Sequence, residues 1–402
     1  MGIVVVILTG TISFFIIDRL KGRYKIVDSS FLRGLYFYHI LLSLAYYGYA
    51  LFNPSDSAYY FQKVVMGYRG PTWSHFYGTS TTFIEFIGYP FIRYLGFDYE
   101  AMMALFSFFG FVGFIYFYVF FQENIKFKHT VWGIDFLKLV FLLPNLHFWS
   151  SSFGKGSMIF MGIGLFFYGI SKLKTRWLAI IIGGVIIYHV RPHIMMVILV
   201  SAAMGFVFST KGVSMSLRIV FLIGAAASFY FIYGDVLKMV GIDETEFLSQ
   251  GLGLSNRASE LTKATSGVDI LSYSLPFQLF TFLYRPLFVD APGLLGLIVS
   301  FENLIYLMLT LKLLSVSGIR FLIFGNTLVK TCVFSFLTVS LALAQISGNL
   351  GLAMRQKSQV MILFLFVILS FMDAEKMKIF RAWHLRQLRN ARLSRLKEKP
   401  TL

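Results

Sequence analysis

Cysteine occurs once in this chain, at Cys332 inside an apolar run, which excludes a disulfide framework and a cysteine metal site. Charge is scarce too. Only 14% of residues are Asp, Glu, Lys or Arg, against about a quarter in an ordinary soluble domain. Negative charge is scarcest, with 19 acidic side chains against 36 basic ones and a net charge of +17. The histidines lack a metal-ligand spacing such as HExxH, and there is no P-loop or dinucleotide glycine motif. No metal site and no cofactor are therefore expected. The first apolar run, "GIVVVILTGTISFFII", has no basic segment before it and is followed by "DRLKGRYK", so it reads as a retained helix rather than a cleaved signal.

What the chain has is apolar length. Hydrophobic residues make up 57% of it, Phe alone contributes 46, and the mean hydropathy is +0.72. The runs 100–121, 291–314 and 320–345 each exceed the ~17–20 apolar residues that cross a bilayer as a helix. Continuous apolar runs exclude an outer-membrane barrel, whose strands alternate in polarity. The expected fold is all-α, a polytopic integral membrane protein with spans near 2–17, 31–52, 100–121, 132–148, 156–170, 177–190, 194–209, 218–233, 291–314, 320–345 and 358–372. That gives about 11 transmembrane helices, within a range of 10–12. The stretches 81–95 and 277–289 are broken by Pro90 and Pro286 and carry Arg93 and Arg285, so they read as re-entrant or interfacial. The expected division is one membrane domain over 1–372 and a basic tail over 373–402, with large loops near 53–99 and 234–290.

Loop parity then sets a side. One set of loops, with Arg33 and the tail, holds 23 of the 36 Lys and Arg. By the positive-inside rule these face the cytoplasm, with the N-terminus outside and the C-terminus inside. The net charge is thus read as Lys- and Arg-rich cytoplasmic loops and not as a nucleic-acid signal. The tail repeats arginine at 386, 389, 392 and 395, a basic stripe suited to anionic membrane lipids. Lys138 can snorkel inward and Lys330 lies within a span. Eleven cations remain on the outer side, against the topology signal: Lys63, Arg69, Arg93, Lys155, Arg191, Lys238, Arg257, Lys263, Arg285, Arg355 and Lys357.

These cations fall in five outer segments. They are 53–99 with "SDSAYYFQK", the turn "PNLHFWSSSFGKGS", the turn "YHVRPH", the loop 234–290, and "SGNLGLAMRQKSQ". Each has a plain structural explanation. "HVRPH" can be a tight turn ended by Pro192, Trp149 with Tyr59 and Tyr60 can be an interfacial aromatic belt, and Asp56 or Ser57 can cap a short helix. Taken together, cations interleaved with histidines and aromatics suit an anionic ligand with a lipid tail and a polar head, such as a polyprenyl-pyrophosphate-linked sugar.

The segments "PNLHFWSSSFGKGSMIFMGIGLFFYG", "VRPH", "FLYRPLF…SFENLIYL" and "GNLGLAMRQKSQ" resemble those of bacterial surface-polysaccharide polymerases, the O-antigen polymerase (Wzy-like) and EpsG-like membrane proteins. "SDSAYYF" after the second span is similar to the EpsG-like pattern. The resemblance implies a GT-C-like fold in the bacterial inner membrane. It also implies an inverting, metal-independent glycosyl transfer at the periplasmic face, from undecaprenyl pyrophosphate to another lipid-linked repeat unit. Partners implied are that lipid-linked oligosaccharide, and a chain-length regulator and flippase of the same pathway. Arg191 and Arg257 are the closest positional matches to the family's loop arginines, with Arg285 and Arg355 as further candidates. The loop at Arg191 is shorter here than in many O-antigen polymerases.

Pyrophosphate is already a good leaving group, so the main task is to neutralise charge developing on it. Arg191, Arg257, Arg285 and Arg355 are expected to do this, with Lys155 and Lys357. The acceptor hydroxyl needs a general base. Asp56 is the first candidate, followed by His147 and His193, with Glu85, Glu260 and Asp269 left open. Tyr59, Tyr60 and Trp149 are expected against sugar rings. The alternatives are an O-antigen ligase, another lipid-sugar-dependent glycosyltransferase, and a transporter or flippase for lipid-linked sugars.

Overall fold

Asp28 ends one apolar run and opens the next. Its carboxylate accepts the Phe31 N–H at 3.0 Å, so the chain reverses between α1 (Gly2–Arg23) and α2 (Ser29–Phe52). Asp98 does the same for α5 (Tyr99–Asn124), accepting the Ala101 N–H at 2.8 Å, and Asn326 for α15 (Thr327–Ala344), accepting the Val329 N–H at 2.9 Å. The computed structural model describes residues 1–209, 213–240 and 267–397. Between α2 and α5 lie α3 (Asp56–Val65) and α4 (Thr81–Tyr89), the latter ending in a wider turn, Pro90–Tyr94. A hairpin of β1 (Thr130–Val131) and β2 (Ile134–Asp135) precedes α6 (Phe136–Val140) and α7 (Pro144–Trp149). Then come α8 (Lys155–Ile170), α9 (Leu173–Val190), α10 (Pro192–Val207) and α11 (Met215–Val240). The C-terminal part holds α12 (Leu275–Tyr284), α13 (Gly293–Leu313), α14 (Val316–Phe324), α15 and α16 (Leu350–Lys397).

This is an all-α membrane protein, about 80% helical. Among the described residues six helices are long and apolar enough to cross a bilayer: α1, α2, α5, α9, α13 and α15. Four shorter apolar helices accompany them: α8, α10, Met215–Ala227 of α11, and α12. The core is α5, α8 and the 358–371 stretch of α16, all deeply buried. α1, α2, α9 and α13 keep exposed apolar residues on one side, as helices facing lipid do. Helices α5, α8 and α9 meet through glycines. A Cβ on Gly164 would come within 2.8 Å of the Gly113 carbonyl, and one on Gly183 within 2.7 Å of the Gly162 carbonyl.

Several runs that read as single elements are broken. The run 132–148 is β2, α6 and α7. Trp132 and Gly133 turn the hairpin at positive φ, and Pro144, which has no N–H, starts α7. The run 320–345 divides where Asn326 caps a new helix, leaving α14 as a short separate piece. α16 continues from Leu350 through the start of the stretch expected as a tail to Lys397.

The 277–289 stretch folds as a descending helix and an elbow. Its approach lies beside α16, with the Val268 N–H donating to the Gly348 carbonyl at 2.9 Å. The elbow lies alongside the middle of α13: Asn303 Nδ2 donates to the Pro286 carbonyl at 2.7 Å, and Tyr284 and Thr310 hydroxyls are 2.8 Å apart. At 1.5 Å rise per residue, Asn303 is roughly 15 Å inside α13. At the other end of the bundle, Arg176 forms two bonds to Glu123, at 2.8 and 2.7 Å, and stacks over Tyr168 at 3.8 Å. That arginine, counted among the loop cations, is a buried staple between α5 and the α8–α9 turn.

Candidate functional site

The first turn of α3 resolves which residue caps it. Ser55 accepts the Ala58 N–H at 3.4 Å, so the Asp56 carboxylate is released from capping. It forms an ion pair with Arg355, from the second turn of α16 and 299 positions away in sequence. Two more cations act on the same carboxyl: Lys155 at the start of α8, and Arg191 in the one-residue turn between α9 and α10. Burial alone would raise the Asp56 pKa. Arg355 first, then Lys155 and Arg191, outweigh it and hold the carboxyl below its usual range. Tyr60, one turn further along α3, is buried beside them. Burial, and then the Asp56 charge, push its phenol up, so it stays a neutral donor at physiological pH.

The surrounding loops hold these groups in place. His189 of "YHVRPH" accepts the Ser80 N–H at its carbonyl, 2.6 Å, and its Nε2 lies 3.1 Å from the Tyr77 hydroxyl. Ser80 in turn accepts Lys155 Nζ at 2.8 Å. The turn after α9 thus fixes the 77–81 segment, which fixes Lys155. From below, the 150–155 loop sits on α5 and α2. The Ser43 hydroxyl donates to the Ser151 carbonyl at 3.1 Å, and Gly110 leaves room for the Ser150 carbonyl where any side chain would collide with it.

Most of the other cations expected on the outer side have different partners. Arg69 pairs with buried Glu85. Arg93 donates to the Val65 carbonyl at 2.9 Å, and Lys63 lies over the Tyr59 and Tyr68 rings at 4.3 and 4.7 Å. Arg285 pairs with Asp290. Lys357 is fully buried, donating to Asn303 Oδ1 at 2.6 Å and to the Arg285 carbonyl at 3.0 Å. Arg355 and Lys357, two positions apart, point to different sides of α16. Arg257, Glu260, Lys263 and the Lys238 side chain lie outside the described residues.

His147 is fully buried. Its Nδ1 is 2.8 Å from His39 Nδ1, and its Nε2 is 2.7 Å from the Phe141 carbonyl that the α6–α7 break leaves open. It fills a structural position and is not among the groups acting on Asp56. His193 is half-buried in the first turn of α10, two residues beyond Arg191. Trp149 packs against Tyr46 at 5.9 Å and Phe148 at 5.1 Å, and its buried Nε1 has no protein acceptor among the described residues. Tyr59 is exposed beneath Lys63, and Asp269 is exposed at the turn before α12.

One polar group was not singled out from the sequence. Glu302 accepts the Asn145 N–H at 2.7 Å, Asn145 Nδ2 donates to the Met354 carbonyl at 3.1 Å, and Tyr306 donates to Glu302 at 3.3 Å. With Asn303 and Lys357, this group caps both broken segments, α6–α7 and the α12 elbow. The adjacent Glu and Asn inside the apolar run of α13 are the signal that would have found it.

The site as assembled can bind an anion through Arg355, Lys155 and Arg191 while keeping one carboxylate ionised at its edge. Among the described residues no three His, Cys, Asp or Glu side chains gather as a metal ion would require. No family model, curated protein or solved structure matches the chain.

Proposed function

We propose that the protein is a polymerase of surface-polysaccharide repeat units, acting on glycans carried by polyprenyl pyrophosphate at the outer face of the bacterial inner membrane. The supporting observation is the convergence of Asp56 with Arg355, Lys155 and Arg191 from four separate segments. In this reading the chain crosses the membrane about eleven times in a GT-C-like arrangement, with its N-terminus outside. The three cations hold the donor pyrophosphate, and Arg355 moves from Asp56 to it when substrate enters. Asp56, freed from its partner, accepts the proton of the acceptor hydroxyl. That oxygen attacks the anomeric carbon from the side opposite the leaving group. The carbon–oxygen bond to pyrophosphate breaks, and pyrophosphate departs with the electron pair. A weak base suffices, because the leaving group is good and the proton moves late. Tyr60 and the Trp149 indole N–H offer donors to sugar oxygens.

Transport of the lipid-linked sugar is the second reading. Two broken segments meeting at Glu302, Asn303 and Lys357 favour it, since transporters place ionisable groups between discontinuous helices. A ligase or other lipid-sugar-dependent transferase would share the site and differ in its acceptor. Purified protein in nanodiscs, supplied with a polyprenyl-pyrophosphate-linked repeat unit, separates these readings. A product ladder spaced by one repeat supports the polymerase. No ladder, together with flux of the same lipid across liposomes, supports the transporter and overturns the polymerase.

A further inference from the structure

At the end of the bundle opposite Asp56, two cations line one cavity. Arg320 of α14 and Lys378 of α16 line a hollow of about 310 Å³ with Phe321 and Phe324. Among the described residues neither side chain has an ion pair or hydrogen bond, and Glu375, the nearest carboxylate in sequence to Lys378, is turned to the Ser317 hydroxyl at 3.3 Å. Asp373 is used as well, accepting the Lys126 and Phe127 N–H groups at 3.0 and 2.7 Å. Beyond them α16 carries Arg381, Arg386 and Arg389, all exposed, and no further acid up to residue 390.

Helix α14 has the surface of a helix lying in a membrane interface. Val316, Ile319, Ile323 and Phe324 are exposed, at 87, 45, 57 and 66%, and the first three form one row at helical spacing. In water such a row is costly; in the acyl region of a leaflet it is favourable, and Arg320 lies along the edge of this row, from which its long stem lets the guanidinium reach the headgroups. Phe321 and Phe324 line the same hollow as the two positive charges and make part of its wall apolar. That is the complement of a lipid phosphate with its first acyl carbons.

We infer that Arg320 and Lys378, walled by Phe321 and Phe324, bind the headgroup phosphate of an anionic phospholipid and so anchor α14 and the basic extension of α16 to the membrane surface. The site is independent of the glycan chemistry proposed above. Each cation near an anionic surface contributes about fivefold in affinity, so removing both weakens binding roughly 25-fold.

The test uses the full chain in neutral detergent, titrated with short-chain phosphatidylglycerol and read by native mass spectrometry. Parallel titrations use phosphatidylcholine of the same chain length, inorganic phosphate and a soluble polyanion. The expected result is selective retention of phosphatidylglycerol, lost by about that factor in Arg320→Gln/Lys378→Gln. It should persist in Arg33→Gln, a cation of the same end already paired with Asp18 at 2.7 Å. Circular dichroism melting checks that the double variant folds. Unchanged retention in the double variant overturns the inference. So does equal binding of phosphatidylcholine, or tighter binding of phosphate or polyanion than of the lipid.

Discussion

Asp56 meets two opposing demands: desolvation favours its neutral form, and Arg355 beside it favours the ion. In the free protein the balance lies with the ion, so the acid limb of a kcat/KM profile governed by Asp56 falls below the usual carboxylate range. Arg355→Gln removes the main lowering contribution and leaves the desolvation. The Asp56 pKa then rises and the acid limb moves to higher pH, which a rate–pH profile of the variant records. The sign for stability follows from the same shift. The pair stabilises the fold above the ordinary carboxylate pKa, and that contribution is lost as pH falls through the depressed value. His147 behaves differently, because its bonds go to His39 and the Phe141 carbonyl. His147→Leu leaves His39 Nδ1 and the Phe141 carbonyl without this partner and costs about 2 kcal/mol of stability, seen as a lower melting temperature with the acid limb unmoved. From sequence, both residues were base candidates, Asp56 first and His147 behind it. Only the cap at Ser55 and the break at Phe141 distinguish them, and both depend on where the backbone turns.

At the scale of elements, the breaks carry the information. The runs 132–148 and 320–345 have the composition of single spans, and hydropathy does not register a hairpin at Trp132–Gly133 or a cap at Asn326. A broken helix in a membrane protein needs every freed backbone group satisfied. Here Glu302, Asn303 and Lys357 supply that for Asn145 and for the carbonyls of Arg285 and Pro286. Lys357→Met strips the Arg285 carbonyl and Asn303 of their donor. We expect a loss of about 3 kcal/mol, measured by thermal unfolding in detergent. Lys357 was read from sequence as one of the outer-side cations, and its bonds to Asn303 and the Arg285 carbonyl were not. Pyrophosphate binding and backbone capping call for the same residue type, and only the side of α16 it points to distinguishes them.

For the whole molecule, the sequence already carried the all-α membrane class, since apolar length and low charge leave few alternatives. The surplus of cations on one side was legible as a count and not as a site. Arg69, Arg93, Lys63, Arg285 and Lys357 turn out to hold loops and elbows together, while Lys155, Arg191 and Arg355 gather at Asp56. That gathering brings together residues as much as 299 positions apart, which no local pattern encodes. The most direct measurement is equilibrium binding of polyprenyl pyrophosphate, without sugar, to the wild type, Arg191→Gln and Asp56→Asn, each also assayed for transfer. Arg191→Gln should bind about tenfold more weakly or worse. Asp56→Asn should bind as tightly as the wild type or more so, because Arg355 no longer has a competing partner, and yet form no polymer. Weaker binding by Asp56→Asn, or polymer formed at the wild-type rate, would contradict the account.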